Sequence, residues 1–188
     1  MLYEVVLDTG ETPNKCTIAP LSQRSDFSLF RVKGNAPLGP LLSPILLHPE
    51  GECLTSLRNS LGPIQGIASI DCVWRRLNVL LPRIEGRLPT LARIPNGFET
   101  AYPRHNKRNL DPTEGLATIE AIFVAAALVG NWDASLLSDY HFGRKFVELN
   151  RDLFLELGVA QAGIPDALPV WTRRPKHSLQ RRQDRGKY

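Results

Sequence analysis

The feature that most constrains the fold is a change of hydrophobic period within residues 66–81. The run GIASI (66–70) is short and apolar, which is typical of a buried strand, and it ends abruptly at Asp71. From Cys72 to Leu81 the apolar residues recur at helical spacing, and Pro82 ends the pattern. A strand that leads directly into a helix is the unit of parallel sheets, so this segment predicts an α/β layered fold with parallel strands.

The same alternation continues along the chain. Further strands are predicted at 2–7, 27–32, 43–49 and 89–94, and further helices at 116–129, 133–140 and 144–157. A chain of 188 residues is long enough for one domain of good size, or for two small ones that share a core.

Composition argues against membrane, disulfide and metal-binding proteins. The longest apolar run, at 121–130, is far shorter than the roughly 20 residues that a membrane span needs. The N-terminus has no basic region before its apolar residues, so we expect a cytoplasmic protein with no membrane partner. Cys16, Cys53 and Cys72 are odd in number and form no C-x-x-C pair, so we predict small buried hydrophobes and no metal.

Basic residues are clustered, although the net charge is only +4. The segment 172–188 holds seven Arg and Lys against the single acid Asp184, and YPRHNKRN (102–109) is a second cluster with an aromatic residue. Such clusters are typical of nucleic-acid binding, but a solvated tail that keeps the protein soluble explains the first cluster equally well.

Asp71 and Trp74 each allow two interpretations. In open α/β sheets, ligand-contacting residues gather at the carboxyl ends of strands, which is where Asp71 lies. Asp is also a favoured N-cap, and Asp71 could cap a helix that begins near Cys72, with Trp74 as a core anchor. Thr118, at the start of the apolar helix 116–129, offers a possible anion site at unpaired backbone N–H groups.

Six motifs taken together resemble one known family. They are PNKCT (13–17), LLHPEGECLTS (46–56), IDCVW (70–74), LPTLA (88–92), LATIEA (116–121) and YHFGRKFVELNRDLF (140–154). In this order and approximate spacing they resemble the ribosome-biogenesis aminocarboxypropyltransferases, which modify small-subunit ribosomal RNA. The related DTW-domain family, which modifies transfer RNA, shares the D-x-x-W pair and the T-x-E-A helix start.

The resemblance implies both a fold and a reaction. The fold is a SPOUT-like knotted α/β arrangement: a small N-terminal α/β subdomain (1–65), a cofactor-binding and catalytic region (66–160) and a basic tail (161–188). The reaction moves the 3-amino-3-carboxypropyl group of S-adenosylmethionine to N3 of a uridine or pseudouridine in ribosomal RNA, and releases methylthioadenosine. The expected partner is ribosomal RNA or the pre-ribosomal small subunit, with transfer RNA second, and we expect a monomer.

The resemblance also implies a set of site residues. Asp71 is the candidate general base, or a carboxylate that stabilises cationic charge, and Trp74 packs on the cofactor and shields its methyl group. Thr17 and Thr118 bind the cofactor carboxylate, and Ile70 contacts the ribose. Leu91 lies near the adenine, and apolar walls come from Leu47, Pro49 and Leu77, for which ordinary core packing is the alternative.

RNA contacts are inferred from charge and aromatic character rather than from the family. Phe98 and Tyr102 are candidates for stacking on an unpaired base, and His105 is interpreted as a solvated histidine. The other candidates are basic: Arg75, Arg76, Arg93, Arg104, Lys107 and Arg108.

The chain departs from the family pattern at three places. Ile18 stands where the family usually has Gly, and Phe142 replaces a Trp. Residues 93–109 are longer than the family's A-N-P-V-N-Y-G segment. The remaining alternatives are a transfer-RNA aminocarboxypropyltransferase, a SPOUT RNA methyltransferase and a non-catalytic RNA-binding assembly factor.

Overall fold

The centre of the fold is a five-stranded, fully parallel sheet. The structure is a computed structural model, and it describes residues 1–8, 16–103 and 115–159. The strand order is β2-β1-β4-β3-β5, which confirms the predicted α/β fold with parallel strands. The strands are β1 (Leu2–Leu7), β2 (Phe27–Arg31), β3 (Ile45–Cys53), β4 (Gly66–Asp71) and β5 (Thr90–Arg93).

Five α-helices accompany the sheet within the described ranges. They are α1 (Leu54–Ser60), α2 (Trp74–Leu80), α3 (Thr118–Leu128), α4 (Gly143–Leu149) and α5 (Arg151–Glu156). The predictions for α2 and α3 are confirmed to within two residues, whereas no helix was expected at α1. The predicted helix at 133–140 is a short 3-10 helix over Ala134–Leu137. No helix in the described part of the chain is both long enough and apolar enough to cross a bilayer.

Strand β4 occupies the middle of the sheet, between β1 and β3. Its last residue, Asp71, pairs with Leu7, and the N–H of Asp8 donates to the Asp71 carbonyl at 3.0 Å. Strands from residues 1–65 and from residues 66–160 therefore share one sheet. The division of the chain into subdomains at residue 65 stays a prediction. The arrangement puts Asp71 at the carboxyl edge, between neighbouring strands.

Apolar side chains cover both faces of the sheet. On one face, helix α3 is buried almost throughout, and Phe123 packs edge-on against Trp132, Phe146 and Phe154 at centroid distances of 5.0–6.4 Å. On the other face, Leu80 of α2 lies in a smaller cluster with neighbours from β1, β3 and β4. The sheet is therefore a buried middle layer, as parallel sheets usually are.

The predicted helix 144–157 is wrong as a single element, because the chain forms α4 and α5 with Asn150 between them. Asn150 is buried, and its amide accepts from the N–H of Glu99 at 2.7 Å and donates to the Glu99 carbonyl at 2.8 Å. It also donates to the carbonyl of Phe146 at 2.8 Å. These bonds tie the helix junction to the segment after β5, a long-range contact that helical periodicity does not reveal.

Strand β3 runs past its regular register at the carboxyl edge. Both Leu47 and Glu52 pair with Ala92 of β5, so the residues between them leave the ladder. A Cβ on Gly51 would lie 2.5 Å from the Ala92 nitrogen and 2.5 Å from the Leu91 carbonyl carbon. Only glycine fits this close backbone approach, which brings the β3 excursion against the end of β5.

Candidate active site

Asp71 ends the central strand and is only 8% exposed. Oδ1 accepts a hydrogen bond from the Thr118 hydroxyl at 2.6 Å, and Oδ2 accepts one from the Cys16 thiol at 3.2 Å. No ion pair to Asp71 is present among the described residues. Two neutral donors therefore stabilise a nearly buried carboxylate, whose burial without partners would be costly.

Asp71 is not a helix cap, so that alternative is wrong. Helix α2 begins at Trp74 after an extended residue, Val73, and its N-cap position makes no side-chain hydrogen bond. The Asp71 side chain instead accepts hydrogen bonds from Thr118 and Cys16, as described above.

Trp74 lies against the segment that leads into α3. A Cβ on Gly115 would lie 2.7 Å from Cζ2 of the Trp74 indole, so a side chain at Gly115 would displace the ring. Trp74 is half-buried and belongs to neither apolar cluster of the described residues, which excludes the interpretation as a core anchor. The starts of α2 and α3 therefore meet beside Asp71.

A buried carboxylate fixes the start of α3. Glu120 is fully buried and accepts from the N–H of Ala117 at 2.8 Å, which is the reach of an N3 glutamate back to the N-cap. It also accepts from the Thr100 hydroxyl at 2.6 Å, the Ala101 N–H at 2.9 Å and the Tyr140 hydroxyl at 2.8 Å. These four donors hold the helix start and the segment after β5 in one place.

Thr118 bonds to Asp71 directly, and Thr17 follows the other partner, Cys16, in the chain. Because the Thr118 hydroxyl donates to Asp71, what this residue can offer an anion is its backbone N–H, in the first turn of α3. Thr17 directly follows Cys16, and its hydroxyl forms no hydrogen bond to another described residue. The structure thus brings Asp71, Trp74 and Thr118 together, and the Cys16 contact brings the Thr17 segment to them.

Cys16 was not predicted as a site residue. All three cysteines are free and half-buried, so the expectation of small buried hydrophobes is wrong. Burial and then the Asp71 charge raise the pKa of the Cys16 thiol to about 11, so at neutral pH it is protonated and can donate. Its place directly before Thr17 in PNKCT was the available signal.

The predicted apolar wall residues are half-buried or exposed, and none of them is fully buried in the core. Leu47, Ile70, Leu77 and Leu91 are half-buried and Pro49 is exposed. Leu47 packs partly against the larger cluster, and Ile70 and Leu91 partly against the smaller one. Leu47, Ile70 and Leu91 therefore contribute in part to core packing, and each also retains some exposed apolar surface.

His48 is a second residue that the sequence did not single out. It is 5% exposed, and its Nδ1 accepts from the N–H of Glu50 at 3.2 Å. Its Nε2 is buried and has no hydrogen-bond partner among the described residues. In the neutral ring this nitrogen carries the proton, so His48 holds a buried donor where β3 leaves the ladder.

The basic candidates near the edge differ in availability. Arg75 is exposed and makes no ion pair with a described residue, whereas Arg76 is paired with Asp8, at the end of β1. Arg93 ends β5 and is half-buried opposite Cys53. Arg75 is therefore the clearest free cation of the three.

The two aromatic candidates also differ. Phe98 is 8% exposed and packs on Phe154 with a centroid distance of 5.1 Å, so the prediction that it stacks on a base is wrong. Tyr102 is half-buried and meets Phe142 edge-on at 6.1 Å. Four predicted residues and the basic tail lie outside the described residues: Arg104, His105, Lys107, Arg108 and 161–188. In the part of the chain that is described, no group of three or more His, Cys, Asp or Glu could hold a metal ion.

Comparison with known proteins finds similarity in structure but not in sequence. No family model matches the chain, and no curated protein matches it in sequence. Its structure is similar to that of the SAM-dependent rRNA:acp-transferase Tsr3 from Vulcanisaeta distributa, with a TM-score of 0.58 and 23% identity. The match covers 83% of this chain and 82% of that one. The chain therefore shares its α/β fold with a SAM-dependent rRNA:acp-transferase.

Proposed function

We propose that the protein transfers the 3-amino-3-carboxypropyl group of S-adenosylmethionine to N3 of a uridine or pseudouridine in small-subunit ribosomal RNA. The observation that carries the proposal is Asp71, nearly buried at the end of the central strand and bonded to Thr118 and Cys16. The six motifs and the fold shared with an rRNA:acp-transferase support it. A SPOUT-like knot is part of the same proposal.

The residues at this edge fit the chemical groups of S-adenosylmethionine. The first-turn N–H groups of α3 and the free Thr17 hydroxyl suit a carboxylate. The half-buried Trp74 indole suits a sulfonium, an attraction on the order of 1 kcal/mol. The exposed apolar surface of Leu47 and Leu91 suits the adenosine portion.

Asp71 performs the proton step in this proposal. The bound S-adenosylmethionine supplies an electrophilic methylene, whose bond to sulfur breaks as its bond to N3 forms. Asp71 accepts the N3 proton, because each of its oxygens receives one donor in the structure and retains a free lone pair. Trp74 covers the methyl side and so excludes the competing methyl transfer.

Two isotope labels test the reaction. The protein is incubated with S-adenosylmethionine labelled either in the carboxyl carbon or in the methyl group, together with small-subunit RNA from cells that lack the protein. We expect carboxyl label in the RNA, no methyl label, and methylthioadenosine as the by-product. Methyl label with S-adenosylhomocysteine would instead identify a methyltransferase.

Two further outcomes would redirect the proposal. Carboxyl label only in transfer RNA from the same cells would move the substrate to the transfer-RNA class. No heat of S-adenosylmethionine binding in calorimetry, with RNA binding intact, would overturn the enzyme and favour an RNA-binding assembly factor. Mass spectrometry of the purified labelled RNA then identifies the modified nucleotide.

A further inference from the structure

The Cys16 thiol contacts Asp71, the central residue of the function proposed above, but has no assigned role in the reaction. Its Sγ lies 3.2 Å from Oδ2 of Asp71, within the usual range for a sulfur donor, and Thr118 occupies Oδ1. The two donors come from segments 55 residues before and 47 residues after Asp71. Asp71 is therefore held from both sides.

We propose that Cys16 is a positioning residue for the transfer reaction: its thiol, with the Thr118 hydroxyl, fixes the plane of the Asp71 carboxylate. The two oxygens turn together about the Cβ–Cγ bond of Asp71, and one donor on each oxygen restrains that rotation. With Thr118 alone, its hydroxyl could follow Oδ1 as the carboxylate turns, so the plane would be held less tightly. The proposal rests on the proposed function, since it assigns a role within that reaction.

The protonation state of Cys16 agrees with this role. Burial, followed by the Asp71 charge, raises the pKa of the thiol to about 11, so at neutral pH it carries the proton that the hydrogen bond needs. A thiolate at the same distance would instead repel the carboxylate. Burial and the Asp71 charge thus both favour the protonated form of the thiol that orients Asp71.

Cofactor binding does not depend on the Cys16 contact in this arrangement. The next core residue, Ile18, is fully buried, and its carbonyl accepts from the N–H of Leu21 at 2.9 Å. These contacts anchor the Thr17 segment even without the thiol. Loss of the thiol should therefore change the orientation of Asp71 but not the cofactor affinity.

A pair of substitutions isolates the donor. Cys16→Ala and Cys16→Ser have nearly the same volume, but only serine can donate to Asp71. We expect kcat of Cys16→Ala to fall about tenfold, because small misplacements of a reacting group are costly, while Cys16→Ser recovers most of that loss. The calorimetric Kd for S-adenosylmethionine and the KM for RNA should stay as in the wild type. Cys53→Ala is the matched cysteine control and should keep the wild-type kcat.

Two results would overturn the proposal. Equal loss of kcat in the Ala and Ser variants would mean that the donor is irrelevant. A loss of cofactor affinity in proportion to the loss of kcat would mean that Cys16 merely supports the fold of the Thr17 segment.

Thiol alkylation tests the contact without any activity assay. Iodoacetamide labelling of the full chain is followed from about pH 8 to pH 10, and peptide mass spectrometry separates the three cysteines. In the wild type the Cys16 rate should still rise at the highest pH. In Asp71→Asn burial still raises the pKa of Cys16 but the Asp71 charge no longer does, so Cys16 should react faster than in the wild type at each pH, with Cys53 unchanged. A Cys16 profile that is identical in both proteins would overturn the proposal.

The two assays separate the two possible failures. If the alkylation profile shifts as expected but the wild type transfers nothing to any RNA, the proposed function fails and the role of Cys16 in it fails too, although the contact is real. If the wild type transfers the group but the profile does not shift, only the positioning proposal fails.

Discussion

Two of the buried carboxylates among the described residues, Glu120 and Asp71, differ in how many hydrogen bonds their oxygens accept. Glu120 receives four donors, which is about the full acceptor capacity of a carboxylate, so it has no room for a ligand. Asp71 receives two from the described residues, which leaves one lone pair on each oxygen without a donor from them. At the scale of residues, Asp71 is suited to accept a proton or a cation, whereas Glu120 is suited to hold structure.

We expect Asp71→Asn to lower the transfer rate by about a thousandfold, since an amide cannot accept the N3 proton and general-base catalysis is worth about 100- to 10,000-fold. RNA affinity should be nearly unchanged. Single-turnover label transfer and filter binding measure the two quantities. Asp152→Asn, at an exposed position on α5, is the control and should transfer normally. A variant at Asp71 with more than a tenth of the wild-type rate would contradict the assignment.

At the scale of elements, the hydrophobic period of the sequence predicts those strands and helices whose own residues carry a clear apolar pattern. The five strands and helices α2 and α3 follow from their apolar patterns, whereas the polar run LTSLRNS gave no sign of α1. The sequence makes Phe98 a candidate for stacking on an unpaired base, but in the structure it follows a turn at Gly97, with φ +102°, and packs on Phe154. In the site, Asp71 could be located from its strand, but the hydrogen bond from Cys16 to Asp71 could not be predicted, because 55 residues separate the two.

Glu120→Gln tests whether the start of α3 depends on its carboxylate. The amide oxygen can accept two hydrogen bonds and the amide nitrogen none, so two of the four donors to Glu120 would lose their acceptor. We expect the free energy of unfolding, measured by urea denaturation, to fall by about 3 kcal/mol. Glu148→Gln breaks only an exposed pair with Arg144 and should cost less than about 0.5 kcal/mol. Equal effects of the two substitutions would argue against this account of α3.

Gly51→Ala tests the close approach of β3 to β5. The added Cβ would meet the backbone of Leu91 and Ala92 at 2.5 Å, which cannot move as a side chain could. We expect a loss of about 2 kcal/mol in unfolding free energy and weaker S-adenosylmethionine binding by calorimetry. Gly39→Ala is the control, because the nearest atom to its Cβ is 4.0 Å away. Unchanged stability and affinity at Gly51 would contradict the described approach.

At the scale of the whole molecule, the two ends of α3 face different tasks. Its N-terminal end lies beside Asp71, whereas the Arg58 guanidinium donates to the Leu128 carbonyl at its C-terminal end, at 3.0 Å. A cation there complements the helix dipole. Arg75 lies on α2, next to Trp74, so it is a cation on the side of the molecule that would meet RNA.

We expect Arg75→Gln to weaken RNA binding and to reduce the slope of log K against log salt by about 0.7, the value for one phosphate contact on a single strand. Filter binding at several salt concentrations measures this slope. Arg58→Gln removes the same charge at the far end of α3 and should leave the slope unchanged. If both substitutions reduce the slope alike, the RNA does not approach by the Asp71 edge.

The two hydrogen bonds to Asp71 determine how much of the chain must be synthesised before the candidate site can form. These bonds join Cys16, the end of β4 and the first residue of α3. A nascent chain therefore cannot complete this arrangement until α3 has left the ribosome, however early β1 and β4 pair. Under the proposed function, a chain that still lacks α3 would therefore be unable to modify RNA.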